Sequence, residues 1–202
     1  MRLVERTRKP ISLTKKIKNF EKSLDKLKNK CYNVVKIKQR EEVSTMDNNK
    51  WVWFDMDGTL ADFYNVNGWL DDLINHNTRP YKQARLKYDI LDLIEVLATL
   101  KQKGWKIGII SWGSKENNPT FDKEVEKVKL EWLERYFLHY FIDKTIITAY
   151  GIPKQETCKE FCEYGVLVDD EPQNLTNWNL GTTINATENI LESLIKMLEF
   201  HN

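Results

Sequence analysis

From Trp51 onward, the chain alternates five short apolar runs with segments that have the spacing of amphipathic helices. A strand buried on both faces reads as a continuous apolar run, and parallel strands need a long crossover that is usually a helix. The alternation therefore predicts an α/β fold with a parallel sheet and helices on both faces. The predicted strands are 51–55, 105–111, 145–149, 165–169 and 182–185, and the predicted helices are 68–77, 84–103, 120–137, 154–163 and 187–199.

Composition places limits on the class of protein. A chain of 202 residues is long enough for one such domain and an N-terminal appendage. It has no apolar stretch of about 18 residues, and its N-terminus lacks the apolar run of a secretory signal. Its three cysteines are an odd number, which argues against a disulfide framework. We therefore expect a cytoplasmic protein without a membrane span.

The N-terminal segment differs from the rest of the chain in charge. Residues 1–50 hold 15 Lys and Arg against 6 Asp and Glu, although the net charge of the whole chain is only +1. The spacing of apolar residues there alternates between four and three, which predicts a helical extension over 1–46, followed by the main domain over 47–202. The extension can pack on its own domain, pair in a homodimer, or bind nucleic acid or another anionic surface through its lysines. The apolar positions are Leu13, Ile17, Phe20, Leu24, Leu27 and Cys31.

The first predicted strand ends in two carboxylates, Asp55 and Asp57, where the apolar run opens into a turn at Gly58. Ligands bind at the carboxyl ends of parallel strands, so both side chains are expected to face one crevice. A carboxylate can attack phosphorus, while a second carboxyl protonates the leaving oxygen and then deprotonates water. The alternative is a surface turn in which Asp and Gly serve only the backbone geometry.

Later strand ends carry polar residues that fit the same chemistry. Ser111 closes the second predicted strand, and its hydroxyl and the N–H groups of residues 112–114 can bind a phosphoryl oxygen. Lys154 opens a predicted helix, where its ammonium and the helix N-terminus both favour negative charge. Asp169 and Asp170 offer the hard oxygen ligands that Mg²⁺ prefers. Taken singly, each has an ordinary alternative: a capped turn, a solvated lysine or a helix cap.

Together and in this order, these residues match the four motifs of the haloacid dehalogenase (HAD) superfamily, so the chain from Trp51 onward resembles a phosphatase of that superfamily. The resemblance implies a Rossmann-like HAD fold and Mg²⁺-dependent hydrolysis of phosphate monoesters through an aspartyl phosphate. The dehalogenase branch lacks the second aspartate of the first motif. Asp57 therefore favours phosphate chemistry.

The same resemblance implies a role for each acidic residue. Asp55 would be the nucleophile and a ligand of Mg²⁺. Asp57 would be the general acid and base, and its backbone carbonyl would also contact the metal. Asp169 would complete the protein ligands, and Asp170 would act through a metal-bound water.

The resemblance further implies how the phosphoryl group is held. Ser111 and Lys154 would bind it and offset its charge, with Trp112 and Gly113 next to Ser111 in the substrate-binding loop. The substrate would be a small phosphorylated molecule.

Two features bear on the choice of substrate. Only the segment 62–88 lies between the first motif and the next long helix, which predicts a small C1-type cap that suits a large substrate unless a neighbouring subunit completes it. The continuation of the first motif resembles that of the 5′(3′)-deoxyribonucleotidases, which implies a nucleotide substrate. The aromatic residues Phe63, Tyr64, Trp69 and Trp112 could contact a nucleobase as in that family, or could pack in the core or lid.

Three classes of function stay open at this point. The first is a small-molecule phosphatase, in particular a nucleotidase. The second is a phosphatase that acts on nucleic-acid ends or on protein, with the substrate bound by the basic extension. The third is a catalytically idle HAD-like binding module, which the filled motif positions disfavour.

Overall fold

The computed structural model describes residues 50–116, 118–136 and 138–200, together with six exposed helical positions between 22 and 36. The five strands are β1 Lys50–Phe54, β2 Lys106–Trp112, β3 Lys144–Thr148, β4 Tyr164–Asp169 and β5 Thr183–Asn185. They form one parallel sheet in the order β3-β2-β1-β4-β5. The predicted parallel α/β fold is confirmed.

Helices connect the strands. Their bounds are α1 Trp69–Ile74, α2 Arg79–Gln83, α3 Ile90–Gln102, α4 Pro119–Arg135, α5 Lys154–Cys158, α6 Pro172–Asn177 and α7 Ile190–Phe200, with a 3₁₀ turn at Leu138–Tyr140. Among the described residues, none of these helices combines the length and the apolar character needed to cross a membrane.

The side chains of the central strand β1 alternate between the two faces of the sheet. Val52 and Phe54 belong to the larger core, which contains residues of α3, α4 and α7. Trp51 and Trp53 stack with ring centroids 4.7 Å apart in a second core, together with residues of α5 and the segment after α6. A Cβ at Gly108, the register partner of Trp53 on β2, would overlap the Trp53 ring, so this position has room only for glycine. The sheet is therefore covered on both faces.

The segment between β1 and α3 is the one that the sequence predicts to be a small cap, and it is called the cap below. Its two short helices, α1 and α2, are anchored by a third apolar cluster, in which Phe63 and Tyr81 pack against Phe121, Val125 and Val128 of α4. The cap is therefore attached to α4 beside the carboxyl ends of β1 and β2.

Several predicted helix bounds are wrong. The helix predicted over 84–103 begins only at Ile90, because backbone groups of residues 85–87 hydrogen-bond to residues 60–62 and Asp89 caps the helix. The helix predicted over 154–163 ends at Cys158. Helices α2 and α6 were not predicted. The predicted stripe from Leu13 to Cys31 lies outside the described residues.

Candidate active site

Asp55 and Asp57 lie at the carboxyl end of β1, at the centre of the sheet. The Asp55 N–H still donates to Val168 O of β4 at 2.9 Å, so the backbone of Asp55 is fixed as an extension of the strand. The chain then turns, and Leu60 and Ala61 both donate to Met56 O. The turn leaves Asp55 buried and Asp57 partly buried, and both carboxylates line one cavity.

Gly58 is required by the close packing of this turn. Its φ of 80° lies in the left-handed region, which glycine adopts without strain. A Cβ at this position would overlap Asp170 Oδ2 and would lie 2.6 Å from Tyr64 Cε2. The Gly58 carbonyl accepts a hydrogen bond from Lys87 Nζ, which ties the turn to the segment before α3. Glycine thus permits Asp170 to approach the first motif.

Lys154 joins two of the predicted metal ligands. The side chain is 1% exposed, and its Nζ donates to Asp55 Oδ1 at 2.6 Å and to Asp169 Oδ2 at 2.7 Å. Burial disfavours the charged ammonium, but the charges of Asp55 and Asp169 outweigh burial and raise the pKa of Lys154. As predicted from the sequence, Lys154 is the first residue of a helix, α5.

Asp169 and Asp170 follow one another at the end of β4. Asp169 accepts hydrogen bonds from the Glu171 N–H at 2.9 Å and from Asn174 Nδ2 of α6 at 3.1 Å, and Asp170 accepts one from Thr59 Oγ1 at 3.0 Å. Burial and then the charge of Asp55 raise the pKa of Asp170 to about 6. The same two causes, in the same order, raise the pKa of Asp169.

These acidic residues fit a hard divalent cation. Asp55, Asp169 and Asp170 each offer a carboxylate oxygen, and the three atoms lie within 4.8 Å of one another. Mg²⁺ is typically held by one or two carboxylates, water and substrate phosphate oxygens, so this set of ligands suits it. Burial first, and then the negative charge of Asp55, makes ionisation of Asp169 and Asp170 unfavourable here even with Lys154 present. A divalent cation would stabilise the ionised form of these carboxylates.

The loop after β2 departs from one expectation. Ser111 is buried and faces the same cavity, as predicted. However, the Gly113 N–H donates to Thr148 O at 2.7 Å, and the Ser114 N–H donates to Asp122 Oδ1 at 2.7 Å. Both groups are therefore engaged by the fold, and the expectation that they bind a phosphoryl oxygen is not met in this structure.

The sequence interpretation missed Lys129 of α4. Its ammonium lies among Asp57, Ser111 and Trp112, and the side chain is 1% exposed. Lysines are almost never buried unless they are paired, so its burial marks the position as unusual. The signal in the sequence was one lysine within the apolar stripe that comprises Phe121, Val125, Val128 and Trp132.

The carboxylates form one end of a cavity of about 360 Å³, whose other walls are largely aromatic and aliphatic. Phe63 is 2% exposed and packs against Tyr81 with ring centroids 4.7 Å apart, so it is a core residue as well as part of the wall. Trp69 belongs to the cap, and Trp112 packs against Tyr150 on the β2 and β3 side. His76 of the cap bonds Glu116 at 2.5 Å across the rim.

No protein-family model matches this sequence, and no curated protein matches it. Among solved structures, D,D-heptose 1,7-bisphosphate phosphatase from Burkholderia thailandensis is similar at 11% identity and a TM-score of 0.47, with 74% of this chain and 98% of that chain covered. The enzyme of the same name from B. bronchiseptica, complexed with magnesium and phosphate, is similar at 10% identity and a TM-score of 0.48, with 73% and 99% covered. At such identities, the chemistry of this chain has to be inferred from its own side chains.

Proposed function

We propose that this chain is a Mg²⁺-dependent phosphomonoesterase of the HAD type that acts on nucleotides through an aspartyl phosphate on Asp55. The main support is one geometric observation. The Asp55 carboxylate lies at the end of the central strand, where it accepts a hydrogen bond from Lys154. Asp55 also forms a cluster of carboxylates with Asp169 and Asp170, and Asp57 lines the same cavity. A nucleophile, a cation and a second carboxyl are the groups that phosphoryl transfer to a carboxylate needs.

The two carboxylates would act in sequence. Asp55 attacks phosphorus, and the bond to the leaving oxygen breaks as the Asp57 carboxyl gives that oxygen its proton. Asp57, now ionised, then takes a proton from the water whose oxygen attacks phosphorus. The acyl phosphate bond breaks, inorganic phosphate is released and the Asp55 carboxylate is restored.

The environment of Asp57 suits this double role. Burial raises its pKa, the Lys129 charge opposes the rise, and the Asp55 charge adds to it. A raised pKa increases the fraction of protonated carboxyl near neutral pH, which is the form that the first step consumes. The opposing charge of Lys129 stabilises the carboxylate that the second step requires.

Asp55, Asp169 and Asp170 would hold Mg²⁺, with the Asp57 carbonyl as a further ligand by resemblance. When bound, the cation neutralises charge on the phosphoryl oxygens. Lys154 donates to Asp55 and Asp169 among the described residues, so one of its three N–H donors is available to a phosphoryl oxygen. The Ser111 hydroxyl would hold a second phosphoryl oxygen.

A nucleotide substrate is supported by the shape and composition of the cavity. Its volume of about 360 Å³ lies within the range of small-ligand sites, and one end is acidic and cationic while the other is aromatic. Tyr64 and Trp69 on the cap side and Trp112 on the opposite side offer rings against which a base can stack. The first-motif resemblance to deoxyribonucleotidases points the same way.

The test is a phosphatase screen of the full chain with Mg²⁺ against nucleoside monophosphates, sugar phosphates and 5′-phosphorylated oligonucleotides, with released phosphate as the readout. We expect nucleoside monophosphates to give the highest kcat/KM. The Asp55→Asn protein, prepared identically, controls for contaminating phosphatase. A preference for sugar phosphates would contradict the nucleotide assignment, and no hydrolysis of any ester would favour the idle binding module.

A second candidate is a phosphatase acting on nucleic-acid ends or on protein. The charge of residues 1–50 favours it, because lysines bind phosphate backbones without sequence preference. The two-helix cap also favours it, because a small cap suits a large substrate. A gel shift with phosphorylated oligonucleotides, comparing the full chain with residues 47–202 over a range of salt concentrations, separates the two candidates. Loss of a salt-sensitive shift on truncation would support the second one.

A further inference from the structure

The surroundings of Lys129 suggest a function for this residue that the proposed reaction does not by itself require. Its Nζ donates to Asp57 Oδ2 at 2.7 Å, to Ser111 Oγ at 2.9 Å and to Trp112 O at 2.8 Å. The ammonium also faces the Tyr81 ring, with 5.2 Å between Nζ and the ring centroid. One side chain from α4 thus joins a group in the turn after β1 to two groups at the end of β2.

The donors of this ammonium are fully used. A lysine ammonium has three N–H donors and no acceptor, and Lys129 has three acceptors within hydrogen-bonding distance. No donor is left for a phosphoryl oxygen. Lys129 therefore differs from Lys154, whose hydrogen-bond acceptors among the described residues are only Asp55 and Asp169.

Burial at this position is costly for an ammonium and needs a compensating interaction. The neighbours of Lys129 on the same face of α4 are apolar, and another apolar residue would satisfy the packing of the helix. The ammonium is instead surrounded by acceptors that belong to the site. This arrangement favours a role in organising polar groups over a role in packing.

On the basis of the proposed function, we propose that Lys129 is a positioning residue that holds the Asp57 carboxyl and the Ser111 hydroxyl in a fixed relation to the phosphoryl group. The hydrogen bond to Oδ2 fixes the plane of the Asp57 carboxyl, and Oδ1 remains to exchange the proton with the leaving oxygen and with water. The hydrogen bond to Ser111 Oγ occupies a lone pair, so the hydroxyl hydrogen is directed elsewhere and can donate to a phosphoryl oxygen.

This role predicts a particular kinetic signature. A residue that aligns the general acid acts in the transition state, so its loss lowers kcat while KM changes little. General-acid assistance matters most for basic leaving groups. Loss of alignment therefore makes kcat depend more steeply on the pKa of the leaving alcohol, which a loss of packing alone does not do.

The experiment compares Lys129→Met and Lys129→Gln with Lys101→Met in the full chain with Mg²⁺. Lys101 is a matched control, because it is also a buried lysine, 2% exposed and paired to Asp143, but lies outside the cavity. The assay measures kcat and KM over a series of aryl and alkyl phosphates, and circular dichroism checks the fold. Lys129→Gln, which keeps two amide donors, covers the case in which the methionine variant does not fold.

We expect Lys129→Met to lower kcat by about 100-fold for alkyl phosphates, with KM within about threefold of wild type and a steeper leaving-group slope. Lys129→Gln should fall between Lys129→Met and wild type. Lys101→Met should lower only the thermal midpoint. Adding Lys129→Met to Asp57→Asn should reduce kcat by a smaller factor than Lys129→Met does alone, because the general acid is already absent and only the Ser111 hydroxyl is left to be misplaced.

Three results would overturn the assignment: an unchanged leaving-group slope in folded Lys129 variants, a rise in KM with kcat preserved, or the same slope change in Lys101→Met. The second result would make Lys129 a substrate-binding residue. If wild type hydrolyses none of the esters, the proposed function fails and this inference fails with it. An active wild type with an unchanged slope in the Lys129 variants overturns this inference alone.

Discussion

Lys154 Nζ donates to Asp55 Oδ1 at 2.6 Å, and both side chains are buried where β1 ends and α5 begins. The contact fixes one oxygen of the Asp55 carboxylate and brings a positive charge next to it. A carboxylate held in this way keeps its second oxygen for another partner. The contact also joins residues that lie 99 positions apart in the sequence.

The first prediction concerns this carboxylate. Asp55→Asn should reduce kcat by roughly a thousandfold or more, because an amide cannot form the acyl phosphate. The fold should persist, since the amide oxygen of the new side chain can still accept a hydrogen bond from Lys154, and Lys154 keeps its ion pair with Asp169. Steady-state kinetics with p-nitrophenyl phosphate and circular dichroism measure the two effects. Activity within tenfold of wild type would refute the role of Asp55.

Gly58 provides a second prediction with an internal control. Gly58→Ala should both destabilise the protein and raise the Mg²⁺ concentration needed for activity, because the new Cβ displaces the Asp170 carboxylate. Gly151 has a nearly identical φ of 82°, but a Cβ there meets nothing within 4 Å. Gly151→Ala should therefore lose only about 1 to 2 kcal/mol, the cost of a left-handed conformation. Equal Mg²⁺ requirements in the two variants would contradict the packing argument.

Much of this architecture follows from short-range sequence patterns. Each apolar run that ends in Asp55, Ser111 or Asp169 has the length and composition of a buried strand, and parallel strands bring their carboxyl ends to one edge. The topology therefore assembles residues that are far apart in sequence. The prediction of a common crevice required no knowledge of loop structure.

The features that could not be predicted depend on tertiary contacts. Residues 85–87 have helical patterning, yet their backbone groups bond to the first-motif turn and the helix starts later. Gly113 and Ser114 offer N–H groups in sequence, but Thr148 and Asp122 engage them. The position of Lys129 within the apolar stripe of α4 is visible in the sequence, but its acceptors Asp57 and Ser111 are not, because they come from distant segments that only the packing of α4 brings to it.

The third prediction concerns the metal. Chelation of Mg²⁺ should abolish activity, and Asp169→Ala should raise the Mg²⁺ concentration for half-maximal activity by about tenfold or more, because a hard cation loses an oxygen ligand. Thermal unfolding provides a readout independent of turnover: Mg²⁺ should raise the midpoint of wild type more than that of Asp169→Ala. Glu188→Ala, which removes an exposed carboxylate, is the control. Undiminished Mg²⁺ affinity in Asp169→Ala would show that the ligand has been misassigned.

The fourth prediction separates Asp57 from Asp55. Asp57→Asn should slow hydrolysis of an alkyl phosphate more than that of p-nitrophenyl phosphate, because a poor leaving group depends on protonation. The amide can still accept a hydrogen bond from Lys129, so the variant should fold. Equal slowing of both esters would count against a general-acid role.

The last prediction concerns the basic segment that precedes the sheet. Deletion of residues 1–46 should leave turnover of p-nitrophenyl phosphate within about twofold of the full chain, because every proposed catalytic group lies between Asp55 and Asp170. If the segment binds a polyanionic substrate, the deletion should raise KM for a phosphorylated oligonucleotide alone and flatten its salt dependence, since fewer counterions are released on binding. The small ester is the internal control within each preparation.

Size-exclusion chromatography would show whether the deletion also changes the oligomeric state, as expected if the stripe from Leu13 to Cys31 pairs two subunits. The truncated protein could remain folded and monodisperse but no longer hydrolyse p-nitrophenyl phosphate. That result would refute the prediction that residues 1–46 are dispensable for catalysis, and would show that the N-terminal segment contributes to the active site.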